Sequence, residues 1–270
     1  MFDTTPWLRR TVQTDRADVV RRLVASGLPE ALSRSEPQRR DARFHASLSS
    51  LLQRDVRDYT SIEGLHDMPH LLSLLAARTS SLLNMAEVSR ATGIAHSTLR
   101  RYLALLEALF IVQPVPAWSA NLGKRLVKAP KLHLIDAGLA AHLQGDADPA
   151  TPAFSPKLGP LLENFAVQEI RRHLRWAETA AAAWHFRTAA GRAVDLVLEA
   201  PGRRIVCVEV KASASLTQSD FAGLRELAYA AGQGFARGIV LYTGEQLMPV
   251  EERLWAVPVG VLWAGSVAAG

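Results

Sequence analysis

Residues 194–211 read VDLVLEAPGRRIVCVEVK: two apolar runs around a Pro-Gly pair, with Asp195 inside the first and Glu209 and Lys211 closing the second. Branched aliphatic residues on both sides of a turn signal predict a β-hairpin. Side chains of a strand alternate faces, so Ile205, Cys207, Glu209 and Lys211 share one face and Val206, Val208 and Val210 the other. Asp195, Val197 and Glu199 likewise share a face of the first strand. Glu209 and Lys211 then lie about 7 Å apart along the strand. A connection of odd length, such as residues 200–204, or a bulge, brings Asp195 beside Glu209. A two-residue Pro201-Gly202 turn would set Asp195 beside Val208, on the wrong face.

Two carboxylates and an ammonium at a strand end suit one kind of chemistry. Paired carboxylates offer hard oxygen ligands to Mg²⁺ (or Mn²⁺), which keeps several waters and bridges to a phosphate. Asp195 and Glu209 are the candidate metal ligands, and Lys211 a candidate catalytic group that orients the attacking water or steadies an anionic oxygen. An Asp followed at a distance by Glu-x-Lys resembles the PD-(D/E)xK nuclease superfamily, in which a helix with an acidic residue precedes the sheet. Here ENFAVQEI at 163–170 precedes VDLVL and VEVK. Glu163 lies on a stripe with Val167, Ile170 and Leu174, where a carboxylate is costly unless paired or metal-bound. Glu169 lies on a comparable stripe with Leu162, Phe165 and Ala166, and helical geometry alone does not choose between them. The plainer reading makes the same charges a satisfied structural cluster.

At 270 residues, 49% hydrophobic and 21% charged, the chain reads as one large or two ordinary globular domains. No apolar stretch is long enough to span a membrane, and the N-terminus has no signal core. The single Cys207 excludes an internal disulfide and a Cys-based zinc site. The expected location is cytoplasmic. The net charge of +5 permits a nucleic-acid partner, and most of the basic excess lies in the first 150 residues.

The expected fold class is α/β (α+β overall). Residues 1–80 read as a helical region, with helices in RADVVRRLVASG, RFHASLSSLLQRDVRDY and HLLSLLAARTSSLLN. Residues 81–146 read as a winged helix-turn-helix. Asn84 caps NMAEVSRATG, Gly93 ends it, and Ile94-Ala95 leads to HSTLRRYLALLEALF. IVQPVPAW and KRLVKAPKLHLI are the expected wing strands, and DAGLAAHLQG a closing helix. Residues 147–157 are a linker rich in Pro and small residues. Residues 158–264 form the nuclease-like domain: helix PLLENFAVQEIRRHLRW, strand AAAWHFRTA, the hairpin, helix TQSDFAGLRELAYAAG, then strands ARGIVLYTG and VPVGVLW. Residues 265–270 are a tail.

ASGLPEAL (25–32), LLQRDV (51–56), STLRRYLALLEALFIV (97–112), KLHLIDAGLAAHL (131–143), LGPLLENFAVQEI (158–170), HFRTAAGRAVDLVLE (185–199), VEVKAS (208–213) and GIVLYTG (238–244) occur in that order. With them the chain resembles the C-terminal part of a prokaryotic family of AAA-type P-loop ATPases carrying a domain of unknown function. The resemblance implies a winged helix followed by a nuclease-like end, and it favours Glu163 over Glu169 as the helix carboxylate. The family commonly has an acidic residue two positions before the hairpin Asp, where this chain has Ala193. No G-x-x-x-x-G-K-[ST] occurs, so no ATP site is expected in this chain. It is then either a fragment of a longer protein or a form without the motor, with an ATPase partner acting in trans.

Ser97, Thr98, Arg100 and Arg101 stand at the start of the second helix, the end that enters the major groove in DNA-binding helix-turn-helix proteins. Lys124, Arg125, Lys128 and Lys131 on the wing are candidates for phosphate contact. DNA is therefore the expected partner, and a homo-oligomer is the alternative use of such a module. The histidines form no spaced metal motif, and His133 and His185 read as packed or surface residues.

Overall fold

The computed structural model describes residues 15–25, 27–28, 39, 42–50, 67–121, 128–145 and 156–263. They gather into two compact units. One holds residues 15–20, 115–121, 128–131 and 165–263, and the other takes the remaining described residues up to 164.

The second unit is helical. Residues 42–50 are helical, as are the end of α1 (Arg16–Ala25), α2 (Met68–Ala77), α3 (Met85–Thr92), α4 (His96–Ala108), α5 (Ala137–Leu143) and the start of α6 (Leu158–His173). Met68, Leu71, Leu72 and Leu75 bury one side of α2. Asn84 caps α3 as its sequence requires, accepting the Glu87 N–H at 3.2 Å. Gly93 ends α3 at φ 73°, a conformation glycine adopts without strain. Ile94 and Ala95 then lead to α4, which buries Leu99, Tyr102, Leu103 and Leu106. Asp136, 3% exposed, caps α5: Oδ1 accepts the Leu139 N–H (2.8 Å) and Oδ2 the Gly27 N–H (2.7 Å).

The first unit is built on a six-stranded sheet: β1 (Ala182–Arg187), β2 (Ala193–Glu199), β3 (Ile205–Lys211), β4 (Phe235–Tyr242), β5 (Met248–Glu251) and β6 (Leu254–Pro258). The order is β1-β2-β3-β4-β6-β5. β3, β4 and β6 run parallel and the outer pairs antiparallel. A parallel neighbour needs a crossover, and α7 (Ala222–Ala231) supplies it between β3 and β4. Phe221, Leu224 and Leu227 bury against Val197, Ile205, Cys207, Val240 and Tyr242 on one face. On the other face Val208, Ile239, Leu241 and Val257 line an apolar cavity of ≈180 Å³ with His173, Val261 and Leu262.

Three expected elements need correction. The wing segments form isolated bridges, Val112↔Leu134 and Val115↔Lys131, and not continuous strands. Pro114, Pro116 and Pro130 lack the N–H that a ladder needs. The strand expected in VPVGVLW begins earlier, as β6, and Val259–Leu262 turns into a 3₁₀ helix. The third helix ends at Ala77, short of its apolar pattern, and Ser80 takes a positive φ of 63°. Residues 51–66 and the tail 265–270 lie outside the described residues. Among the described residues no helix is long and apolar enough to cross a membrane.

Candidate functional site

β2 and β3 pair as Leu196↔Val208, Val197↔Cys207, Leu198↔Val206 and Glu199↔Ile205. One further step along this register sets Asp195 opposite Glu209. The connection is residues 200–204, the odd length the hairpin requires. It closes through an Ala200 N–H to Arg204 C=O bond of 2.8 Å, and Gly202 takes φ 74°.

Asp195 is 7% exposed and both of its oxygens accept hydrogen bonds. Oδ2 accepts the Val210 N–H at 2.9 Å, and Oδ1 accepts Lys131 Nζ at 2.7 Å. Glu209 Oε1 meets Lys211 Nζ at 3.0 Å. Its Oε2 is buried and accepts no hydrogen bond. Lys211 also lies 3.9 Å from Asp220, which forms a capping box with Thr217 just before α7. Asp195 and Glu209 thus each meet one ammonium group, from Lys131 and Lys211, and Asp220 adds a third carboxylate beside Lys211.

Burial, and then the charge of Asp195, push the Glu209 carboxyl up to about 7, while Lys211 and Lys131 pull it down. Burial alone would lower the Lys211 ammonium. The charges and hydrogen bond of Glu209, with Asp195 and Asp220, outweigh it and raise the pKa. Close by in sequence, His185 is buried and its Nε2 lies 3.1 Å from the Ala129 carbonyl. Burial, with Lys131 and Lys128, lowers its pKa to about 4, so it is a packed neutral imidazole at pH 7.

The structure thus brings Asp195, Glu209 and Lys211 together. Lys131, read as a wing lysine for phosphate, instead reaches Asp195 across 64 positions of sequence. No local signal announces that contact. Glu163 belongs to the helical unit, where Oε1 faces His133 Nε2 at 3.9 Å. Its neighbour Asn164, which carried no role in the sequence reading, is wholly buried. Asn164 Oδ1 accepts the Thr79 hydroxyl (3.0 Å) and the Leu134 N–H (3.0 Å), with His133 Nδ1 at 3.3 Å. Glu169 is paired along its own helix with Arg172 at 2.8 Å. On α4, Ser97, Arg100 and Arg101 are exposed and Thr98 half-buried. Lys128 donates to the Arg187 carbonyl at 3.2 Å. Lys124 and Arg125 lie outside the described residues.

Among the described residues no group of three or more His, Cys, Asp and Glu forms a metal cluster. The donors that are present still fit Mg²⁺, which one or two carboxylates can hold while water and phosphate complete the shell. Glu209 Oε2, buried without a hydrogen bond, is the donor such an ion would use.

Two uncharacterized mycobacterial proteins, Rv2008c of Mycobacterium tuberculosis and Mb2031c of Mycobacterium bovis, are each 28% identical to the chain over 261 residues. The alignment covers 96% of this chain and 56% of either relative, so the chain spans about half the length of these relatives. No solved structure matches it. Residues 158–262 match a domain of unknown function, DUF4143. Residues 16–150, half of the sequence, match another, DUF8612, and the chain belongs to the DUF8612 family.

Proposed function

We propose that the sheet unit is a PD-(D/E)xK-like nuclease module that hydrolyses phosphodiester bonds in DNA with Mg²⁺ or Mn²⁺. The observation that carries this reading is the closeness of Asp195 to Glu209 at the end of the β2–β3 register, near enough that its charge raises the Glu209 pKa, with Lys211 on Glu209 and Glu209 Oε2 buried without a hydrogen bond. Asp195 and Glu209 would hold the ion. A bound divalent ion lowers the pKa of a water and neutralises charge that develops on phosphate. The Val210 N–H fixes the orientation of the Asp195 carboxylate. Lys211 Nζ, placed by Glu209, donates a hydrogen bond to the attacking water or to a phosphate oxygen. The α3–α4 pair acts as the helix-turn-helix of a winged helix, and Ser97, Arg100 and Arg101 at the exposed start of α4 meet DNA. DUF4143 commonly accompanies AAA-type ATPases, so an ATPase domain is a proposed partner of this chain.

Cleavage of duplex and single-stranded DNA in Mg²⁺ or Mn²⁺ tests this reading. Asp195→Ala is expected to lose at least about 100-fold in rate, two of the ~1.4 kcal/mol steps that each give a factor of ten, and to keep its DNA affinity. Equal cleavage by the parent and Asp195→Ala would sink it. The Lys131–Asp195 pair favours a second reading, a non-catalytic DNA-binding or protein-interaction module whose charges are already balanced. That module shows no cleavage with either metal. If it binds DNA, its affinity falls steeply with salt as counterions are released.

A further inference from the structure

Building on the metal site proposed above, we infer that Lys131 is a resident counter-ion of the Asp195 carboxylate, which a divalent cation must displace or share, so that it sets the metal affinity of the site. Lys131 Nζ lies 2.7 Å from Asp195 Oδ1, and the two side chains are 13% and 10% exposed. The ammonium therefore takes up one of the oxygens that a metal would use. The other oxygen is tied to the Val210 N–H, which the β3 backbone fixes. The Lys131 contact, unlike the Val210 one, is made by a long side chain and not by the sheet backbone. Lys131 also comes from a bridge segment, Val115↔Lys131, and not from the hairpin that carries the carboxylates. A positive charge this close repels a dication strongly in a partly buried site. The Lys211 ammonium adds its charge to the site, but its direct contacts are with Glu209 and Asp220 and not with an Asp195 oxygen.

The test is Mn²⁺ binding to the full chain by calorimetry, together with thermal unfolding with and without Mn²⁺. Lys131→Met is expected to bind Mn²⁺ at least about tenfold more tightly than the parent, since it loses the competing charge. Lys131→Arg, which keeps the charge, is expected to stay near the parent. In the absence of metal, Lys131→Met unfolds at a lower temperature, because Asp195 is left buried without its partner. Mn²⁺ is expected to raise the unfolding temperature of Lys131→Met by more than it raises the parent's, as a ligand of the native state must. A purely structural lysine would give the lower temperature without that selective rescue. Equal Mn²⁺ affinity in the parent and Lys131→Met overturns the counter-ion role and leaves the metal site standing. No Mn²⁺ binding by the parent or by either variant overturns both.

Discussion

Two aspartates in this protein are buried to a similar degree, and each has both oxygens occupied. Asp136, in the helical unit, accepts the Leu139 and Gly27 N–H groups at 2.8 and 2.7 Å. Asp195, in the sheet unit, accepts one backbone N–H, from Val210, and one side-chain ammonium, from Lys131. The first carboxylate is closed by the chain's own backbone. The second is closed on one side by backbone and on the other by a lysine side chain. Burial is thus similar at the two carboxylates, and they differ in whether the second oxygen is held by backbone or by a side-chain ammonium.

The comparison breaks most easily at Asp136. Asp136→Ala removes two hydrogen bonds to a charged acceptor and leaves a buried N–H without its partner, a loss of about 4 kcal/mol. Urea unfolding is expected to show that loss equally with and without Mn²⁺. A loss that Mn²⁺ relieves would mean that Asp136 also belongs to a ligand site, and the contrast would fail.

Partners on the backbone can be examined a second way, through His185, which also has a carbonyl for a neighbour. Its folded-state pKa, about 4, lies below the ordinary value of 6.5. Stability from the neutral imidazole is therefore complete above pH 6.5 and is lost as pH falls through 4. The two values differ enough to be worth on the order of 3 kcal/mol. Unfolding of the parent and His185→Gln at several values between pH 7.5 and 4 should diverge in slope, with the parent falling more steeply. Parallel curves would show that His185 titrates in the folded state as it does in the unfolded one.

The carboxylate pair was legible because it rests on local rules. Period-two alternation placed Glu209 and Lys211 on one face, and the length of the 200–204 connection set the register that brings Asp195 to them. Asn84 and Gly93 marked the ends of α3 by capping chemistry. What escaped has no local cause. Lys131 meets Asp195 only through tertiary structure, and Asn164 gathers donors from Thr79 and Leu134, far from it in sequence. β5, MPVE, is too short and too proline-interrupted to alternate visibly. The wing segments read as strands by composition, but prolines hold them to single bridges.

The smallest expected effect has the most decisive sign. Gly223 sits in α7 where the helix meets β2, and a Cβ built there would lie 1.9 Å from the Ala193 carbonyl oxygen. In an open helix, Gly→Ala gains about 1 kcal/mol from backbone entropy. Here the added methyl must push α7 away from backbone that cannot rotate aside, and overpacking of this kind costs about 1 to 3 kcal/mol. Gly223→Ala is therefore expected to lose about 2 kcal/mol. Ala193 lies two residues before Asp195 on the same strand, so the displacement falls on the fixed half of the site, the alignment of Asp195 with the Val210 N–H. Asp136 has no such dependence, since Leu139 and Gly27 hold it in the other unit. Denaturant unfolding of the parent and Gly223→Ala decides the matter by direction. A loss supports a sheet face on which α7 presses the start of β2 into place, and a gain of about 1 kcal/mol would mean that the close approach does not exist and that Asp195 is held by β3 alone.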